Sequence, residues 1–405
     1  MSNEHIIVGL EIGTSQICCV VGDLRSDGTI RIIGVGTAPS RGVRKGEIVD
    51  FETAGTCIRE ALVDAEEKSD VMIGAVYLGV SGAHIESFNN RGAINIPEQR
   101  DEIREEDFED VQASAREVSI PSGNSLLHSI LQHYYVDGQD GVLNPVGLLG
   151  RKLEADFHII HGVTNRIQNS IRCVKEVGPE VLEVVFNPVA SAQVVLDQNQ
   201  KSLGALVVDI GGGTTDFIVY VDGVLKQSGC LPIGGDHITN DISLGLRIPM
   251  ARAEKLKIGE GSAIVGASAP GDMIVLKDET GFAGREIERE MLNTIVHCRV
   301  REIFELLKRR LDAAGNVSYL AAGIMLTGGG SQIPGIAQLA EEIFAMPAQL
   351  TFAHAVSGAT SAFENPRYST AIGLIKYAAA LQPERPKSLF SRVLRKLSFL
   401  WSWIF

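Results

Sequence analysis

At 405 residues the chain is too long for one simple core, so two domains or one large bilobal unit is expected. A hydrophobic content of 45% beside 21% charged residues excludes wholesale disorder. The formal net charge of −13 argues against a general nucleic-acid binder, which needs basic surface to displace phosphate counterions.

Six cysteines, Cys18, Cys19, Cys57, Cys173, Cys230 and Cys298, include no CxxC pair. They read as small buried hydrophobes of a reducing compartment, and no zinc site is expected. The opening MSNEHIIVGLEIG lacks the segments of a signal peptide, and no run approaches the roughly 18 apolar residues that cross a bilayer. The expected compartment is the cytosol.

In chain order, HIIVGLEIGTSQICCVVGD (His5 to Asp23) reads as a hairpin of apolar, β-branched runs around Gly13, Thr14 and Ser15. EEDFEDVQASAREV reads as a helix with Phe108, Val111, Ala115 and Val118 on one stripe, and an apolar strand ends at Gly162. GALVVDIGGGTTDFIVYVDG (Gly204 to Gly223) repeats the first pattern around Gly211, Gly212, Gly213, Thr214 and Thr215, so two related lobes are expected to face each other. Glycines at such turns let backbone N–H groups close around an anion, and Thr14, Ser15, Thr214 and Thr215 add hydroxyl donors. A carboxylate precedes each turn, Glu11 or Asp209, and would repel phosphate without a divalent cation. The pair therefore suggests Mg2+ held largely through its waters.

In MARAEKLKIGEG, Glu254 and Lys257 lie one turn apart on a helix; alone they read as a solvated ion pair. REIEREMLNTIVHCRVREIFELLKRRL reads as one helix from Arg285. GIMLTGGGSQIPGIAQLAEEIF reads as a buried strand, a turn at Gly328, Gly329 and Gly330 that lets a nucleoside lie against backbone, and a helix after Pro334. QPERPK then marks a stiff break before KSLFSRVLRKLSFLWSWIF. On a helix, Phe390, Val393, Leu394, Leu397, Leu400, Trp401 and Ile404 form one broad stripe. Arg392, Arg395 and Lys396 fall opposite, Trp403 lies at the edge and Phe399 off it. A basic, aromatic helix of this kind lies in an anionic membrane interface rather than spanning it; packing on the protein's own core is the alternative. Each basic side chain contributes about 1 kcal/mol at such a surface and each buried large apolar one about 1.5–3 kcal/mol. Ordering offsets much of this, so one tail binds reversibly and several on one filament bind firmly.

The two hairpins, the glycine turn at 328–330 and the Glu-x-x-Lys, in this order, resemble the actin, Hsp70 and sugar-kinase superfamily. That resemblance implies two lobes, each with a five-stranded sheet flanked by helices, and Mg-ATP in the cleft. KGEIVDFE, VYLGVSGAHI, VDGQDGVLNPVGLLGRKLEADFHIIHG, VVDIGGGTTDF, LPIGGDHITNDIS, AEKLKIGEG, AAGIMLTGGGSQIPG and NPRYSTAIGLIKYA are further similar to FtsA, the actin-related family that anchors FtsZ in bacterial division. The likeness runs from about Ile6 to Ala380.

It implies an α/β, bilobal actin-like (ribonuclease-H-like duplicated) fold with an inserted α+β subdomain and a C-terminal amphipathic helix. The implied first-lobe core is 1–82, 163–200 and 360–381, with 83–162 inserted. The second-lobe core is 201–246 and 320–359, with an outer subdomain at 247–319. A linker at 382–387 leads to a membrane-targeting helix at 388–405. The resemblance adds Gly234 and Gly235 to the nucleotide site. It implies self-assembly into filaments at the cytoplasmic face of the membrane, other divisome partners, and docking of the acidic, apolar FtsZ C-terminal peptide at Arg285 and Arg299. Solvated arginines are the plainer reading of those two.

Three positions depart from the pattern: Glu11 for a usual Asp, Gln16 for a common phosphate-directed Lys, and Asn187 where relatives carry Glu. An amide orients water but cannot take its proton, so ATP binding with slow or negligible hydrolysis is expected. The rivals are a PilM-type pilus-assembly relative, a sugar or acetate kinase, and an Hsp70-type chaperone. The kinase needs a cleft carboxylate and no tail; the chaperone needs a further substrate-binding domain.

Overall fold

The structure is a computed structural model and describes residues 5–25, 27–97, 99–278, 284–315, 319–354, 356–358 and 363–381. The stripe expected from Phe390 to Ile404, with its linker, lies outside the described residues.

Two sheets share one topology. In the first, Ile6–Ile12, Gln16–Leu24 and Ile30–Pro39 form an antiparallel meander, and Ala75–Val80 and Glu180–Phe186 extend it in parallel beside Ile6–Ile12. In the second, Ala205–Ile210, Thr215–Val221 and Val224–Leu231 form the meander, extended by Gly323–Thr327 and Ala348–Leu350. The duplication expected from the paired hairpins is therefore present.

The first sheet has six strands where five are expected, because Val356–Gly358 pairs in parallel with Ile30–Ile32. The segment 320–359, expected in the second lobe, thus returns to the first before its expected end. Gly358 permits the approach: at φ +113, a Cβ there would lie 2.2 Å from the Ile32 carbonyl oxygen.

The central strands are continuous apolar runs because helices cover both faces of the sheet. On one face lies helix Phe51–Ser69, capped by Asp50, whose side chain accepts from the Thr53 N–H; it buries Ala54, Ile58, Ala61 and Ala65. On the other lies helix Ser369–Leu381, buried at every position from Ser369 to Ile375 between the sheet and helix Asn187–Val195. Five cysteines are buried as expected, whereas Cys298 is exposed on helix Arg289–Ala313.

Between Val80 and Thr164 the chain builds a separate four-stranded antiparallel sheet, ordered Ile85–Asn95, Lys152–Val163, Asn124–Val136, Gln139–Val142. Helix Glu105–Arg116 packs on it through Phe108, Val111 and Ala115; Val118 lies beyond the helix end, against the same small core. The outer part of the second lobe comprises helices Met250–Glu260 and Arg289–Ala313 and a ribbon, Met273–Leu276 with Arg285–Glu288; helix Gly235–Leu246 packs on both helices.

Arg285, expected on the long helix, begins that ribbon strand. Ile287 is buried against Ile274 while its neighbours face outward, which is strand alternation. The helix starts at Arg289, held by ion pairs to Asp272 and Glu260, each at 2.6 Å.

The inserted sheet is hydrogen-bonded to the second lobe along edge strand Val224–Leu231. Ser87 Oγ donates to the Ser228 carbonyl at 2.8 Å, Asn89 Nδ2 to the Lys226 carbonyl at 3.1 Å, and Gln132 Nε2 to the Leu225 carbonyl. His158 bridges Asn89 Oδ1 at 2.6 Å and Ser228 Oγ at 2.9 Å. Burial lowers the His158 imidazole to about 3 and that of His128, which accepts from the Phe186 N–H, to about 4.

A histidine kept neutral in the fold stabilises fully above its unfolded pKa, near 6.5, and that stability is lost as pH falls toward its folded value. Each histidine therefore weakens the fold by about 2 kcal/mol between pH 7 and pH 5. His158→Gln keeps a hydrogen-bonding side chain and removes this proton linkage. Denaturant titrations of the two proteins at both pH values are expected to show a loss on acidification smaller by about that amount in the variant.

Candidate functional site

The two hairpins have the same length and register. Glu11 pairs with Cys18 and Ile12 with Ile17; Asp209 pairs with Asp216 and Ile210 with Thr215. Each turn is closed by one backbone bond, Gly13 N–H to the Gln16 carbonyl at 3.1 Å and Gly211 N–H to the Thr214 carbonyl at 2.9 Å. The turns face each other across the lobes at close range. A Cβ on Gly212 would lie 2.8 Å from Ser15 Cβ, and one on Gly213 would lie 2.6 Å from Thr14 Oγ1.

Behind the turns opens a cavity of about 340 Å³, within the range of small-molecule sites. It is lined by Glu11, Gly13, Thr14, Ser15, Gln16, Asp209, Gly211, Gly212, Thr214, Gly235, Glu254, Lys257, Gly328, Gly329 and Gly330 among the expected residues, and by Asn187.

Three expected residues do not line it. Gly213 packs on Thr14 and Lys45, and Gly234 sits against the carbonyls of Gly211, Gly212 and Thr214. Thr215 is fully buried and donates to the Ile233 carbonyl at 2.8 Å, so it is not a ligand donor. Strand alternation explains this: Gln16 and Thr214 hold the outward position of their copies, Ile17 and Thr215 the core position.

Glu254 and Lys257 are not a solvated pair. The Lys257 side chain is 10% exposed; its ammonium donates to Glu254 at 2.6 Å, Thr239 Oγ1 at 2.9 Å and the Gly235 carbonyl at 3.2 Å. Gly328 holds φ +82, and a Cβ there would lie 2.2 Å from Asp209 Oδ1, so only glycine fits between strand Gly323–Thr327 and that carboxylate.

The residues that sequence reading missed are mainly Asp216 and its surroundings. Asp216 lines the cavity and accepts from Ser81 Oγ at 2.6 Å; Thr370 Oγ1 donates to Asp209 Oδ2 at 2.9 Å. Asp236, Gly46 and Arg367 also line it. Asp216 occupies the place of Cys18 in the other copy, so comparing the copies hides it. The TTD that follows the second turn was the available signal.

Burial, then Asp209 and Asp216, holds the Glu11 carboxyl well above the usual carboxylate range. Burial pushes Asp209 up to about 6 against the Thr370 hydrogen bond, and Asp216 up to about 7, with Ser81 opposing and Asp209 adding. Asn187 Oδ1 is buried without a hydrogen-bond partner. Among the described residues no three carboxylate, His or Cys groups converge enough to ligate a metal directly. Mutually repelling carboxylates with an unpaired amide oxygen fit a hydrated cation bound through its waters.

The family profile "Cell division protein FtsA" matches residues 206–373, and "SHS2 domain inserted in FTSA" matches residues 82–161. Cell division protein FtsA of Pseudomonas aeruginosa is 38% identical over 384 residues, 95% of this chain and 92% of that protein. The Escherichia coli K12 protein of the same name is 35% identical over 93% of this chain and 91% of its own length. Among solved structures, the PilM-PilN type IV pilus biogenesis complex aligns with TM-score 0.65 at 16% identity, over 93% of this chain and 99% of its own. MreB5 of Spiroplasma citri bound to ADP aligns with TM-score 0.55 at 15% identity, over 94% and 100%. At such identities these two speak to the actin-like fold alone. The extent and identity of the division-protein matches carry the assignment: the chain belongs to the FtsA family of bacterial cell division proteins.

Proposed function

We propose that the cleft binds ATP with Mg2+, and that nucleotide-bound polymers of this protein hold FtsZ filaments on the inner face of the cytoplasmic membrane at the septum, among other divisome partners. The observation that carries this reading is the pair of turns in contact across the cleft, with half-buried Glu11 and buried Asp209 and Asp216 behind them. Thr14, Ser15 and the backbone N–H groups of both turns would hold the phosphates, and Gly328–Gly330 would let the nucleoside lie flat against backbone. The half-buried Glu254–Lys257 pair would border its base. Bound magnesium would supply positive charge between phosphates and carboxylates. Binding across both turns favours one relation of the lobes over others, which shifts the population toward a polymer-competent shape. Asn187, unable to take a proton from water, supports slow or negligible hydrolysis.

Membrane attachment rests on the sequence pattern of 388–405. Among the described residues no helix is long and apolar enough to cross a membrane. For the FtsZ peptide, Arg285 is an exposed residue at the start of the outer ribbon strand. Arg299 is engaged by Asp241 through two hydrogen bonds, 2.5 and 3.0 Å, and by Glu302. An incoming acidic peptide would compete with those carboxylates there. Family membership favours this division role over the PilM-type or kinase alternatives.

Magnesium and ATP together are expected to raise the melting temperature, by the equivalent of about 2.7 kcal/mol at a hundredfold excess over Kd, and ATP with chelator much less. Asp209→Asn is expected to abolish the magnesium dependence; a thermal shift indifferent to nucleotide would overturn the site. Gly328→Ala is expected to lose about 1–3 kcal/mol of stability by denaturant titration. In co-sedimentation with anionic vesicles the full chain should pellet, more strongly with ATP. The chain ending at Gln382 should stay in solution while still binding nucleotide. An FtsZ tail peptide should co-pellet with the wild type and be lost on Arg285→Glu or Arg299→Glu; retention by both variants would remove them from the docking site.

A further inference from the structure

We infer that Lys45 is a positioning residue for the terminal phosphate, held on a strap that touches both facing turns; this rests on the proposal that the cleft binds ATP. Val43–Arg44 and Glu47–Ile48 form a two-stranded ribbon whose turn residues, Lys45 and Gly46, sit at φ 52 and 79. Two left-handed residues in succession mark a type I′ turn, which favours asparagine or glycine at its first position. Lysine there is not explained by the needs of the turn.

The strap reaches both copies of the hairpin. The Gly46 N–H donates to Thr14 Oγ1 at 3.0 Å, and a Cβ on Gly213 would lie 2.9 Å from Lys45 Cα. It is anchored from outside: Glu47 pairs with Arg166 at 2.5 Å, and the Gly42 carbonyl accepts from the N–H groups of Val49 and Asp50 at 2.8 and 3.1 Å. Gly46 lines the cavity.

Charge supports the assignment. Neither hairpin carries a cation between Glu11 and Cys18 or between Asp209 and Asp216, and three carboxylates stand there, Asp209 and Asp216 buried and Glu11 half-buried. Lys257 is committed to Glu254 and Thr239, and Arg367 lies against Gly329. Lys45 has no acidic partner among the described residues. Its charge is felt at His237, whose imidazole is lowered by burial and then by Lys45 and Arg299, and whose Nδ1 accepts from the Gly234 N–H at 3.1 Å. Lys45 thus lies beside both turns and within electrostatic reach of His237 at the start of helix Gly235–Leu246, next to Gly46 on the cavity wall. A cation there adds the charge that neither hairpin carries and favours the nucleotide with the longer phosphate chain.

The test is calorimetric titration of the full chain with ADP and with a non-hydrolysable ATP analogue in magnesium, for wild type, Lys45→Gly and Lys45→Arg. Glycine relieves the left-handed backbone, so the variant folds at least as well as the wild type. Lys45→Gly is expected to weaken the ATP analogue about tenfold or more while ADP stays within about twofold, with Lys45→Arg retaining most of the discrimination. An unchanged ratio of the two affinities in Lys45→Gly overturns the inference, as does an equal loss for both nucleotides, which marks a structural strap. Wild-type protein that binds neither nucleotide overturns the underlying ATP reading instead.

Discussion

Glu11, Asp209 and Asp216 converge behind two turns that nearly touch, and burial works against the charge of all three. Removing one carboxylate from water is costly, and three within mutual influence cannot all ionise cheaply without a counter-charge. The sheets, with helices on both faces, keep these groups from retreating into solvent. Relief comes from protonation, the direction in which burial already drives them, or from a cation, and either acts where the two lobes meet.

Much of the fold was legible because its signals are local. Glycine turns between β-branched runs marked both hairpins, and the duplication marked two lobes. Helix Met250–Glu260 and the strand, turn and helix from Gly323 to Phe344 also stand where the sequence pattern placed them. Short pieces were not legible. Arg285–Glu288 runs directly into a 25-residue helix, and four residues are too few to announce a change of period. Val356–Gly358 joins the first sheet through three residues whose partner lies more than three hundred positions earlier.

The cleft was legible in its glycines and its first pair of carboxylates, less so in its details. Thr215 reads as a phosphate ligand by type, yet its strand position turns it to the core beside Ile233. Asp216 escaped because its counterpart is a cysteine. Ser81 and Thr370 come from distant segments, and only the assembled sheets bring them to Asp216 and Asp209. Such long-range partners leave no mark in spacing or composition.

The contact between the inserted sheet and strand Val224–Leu231 has a further effect. An unpaired outer strand invites other chains to add to it, a standing aggregation hazard. Here Ser87, Asn89 and Gln132 occupy backbone carbonyls of that strand, and the opposite border of the sheet is only three residues long at Ala348–Leu350. With both margins of the second sheet blunted, stray cross-β joining is discouraged there.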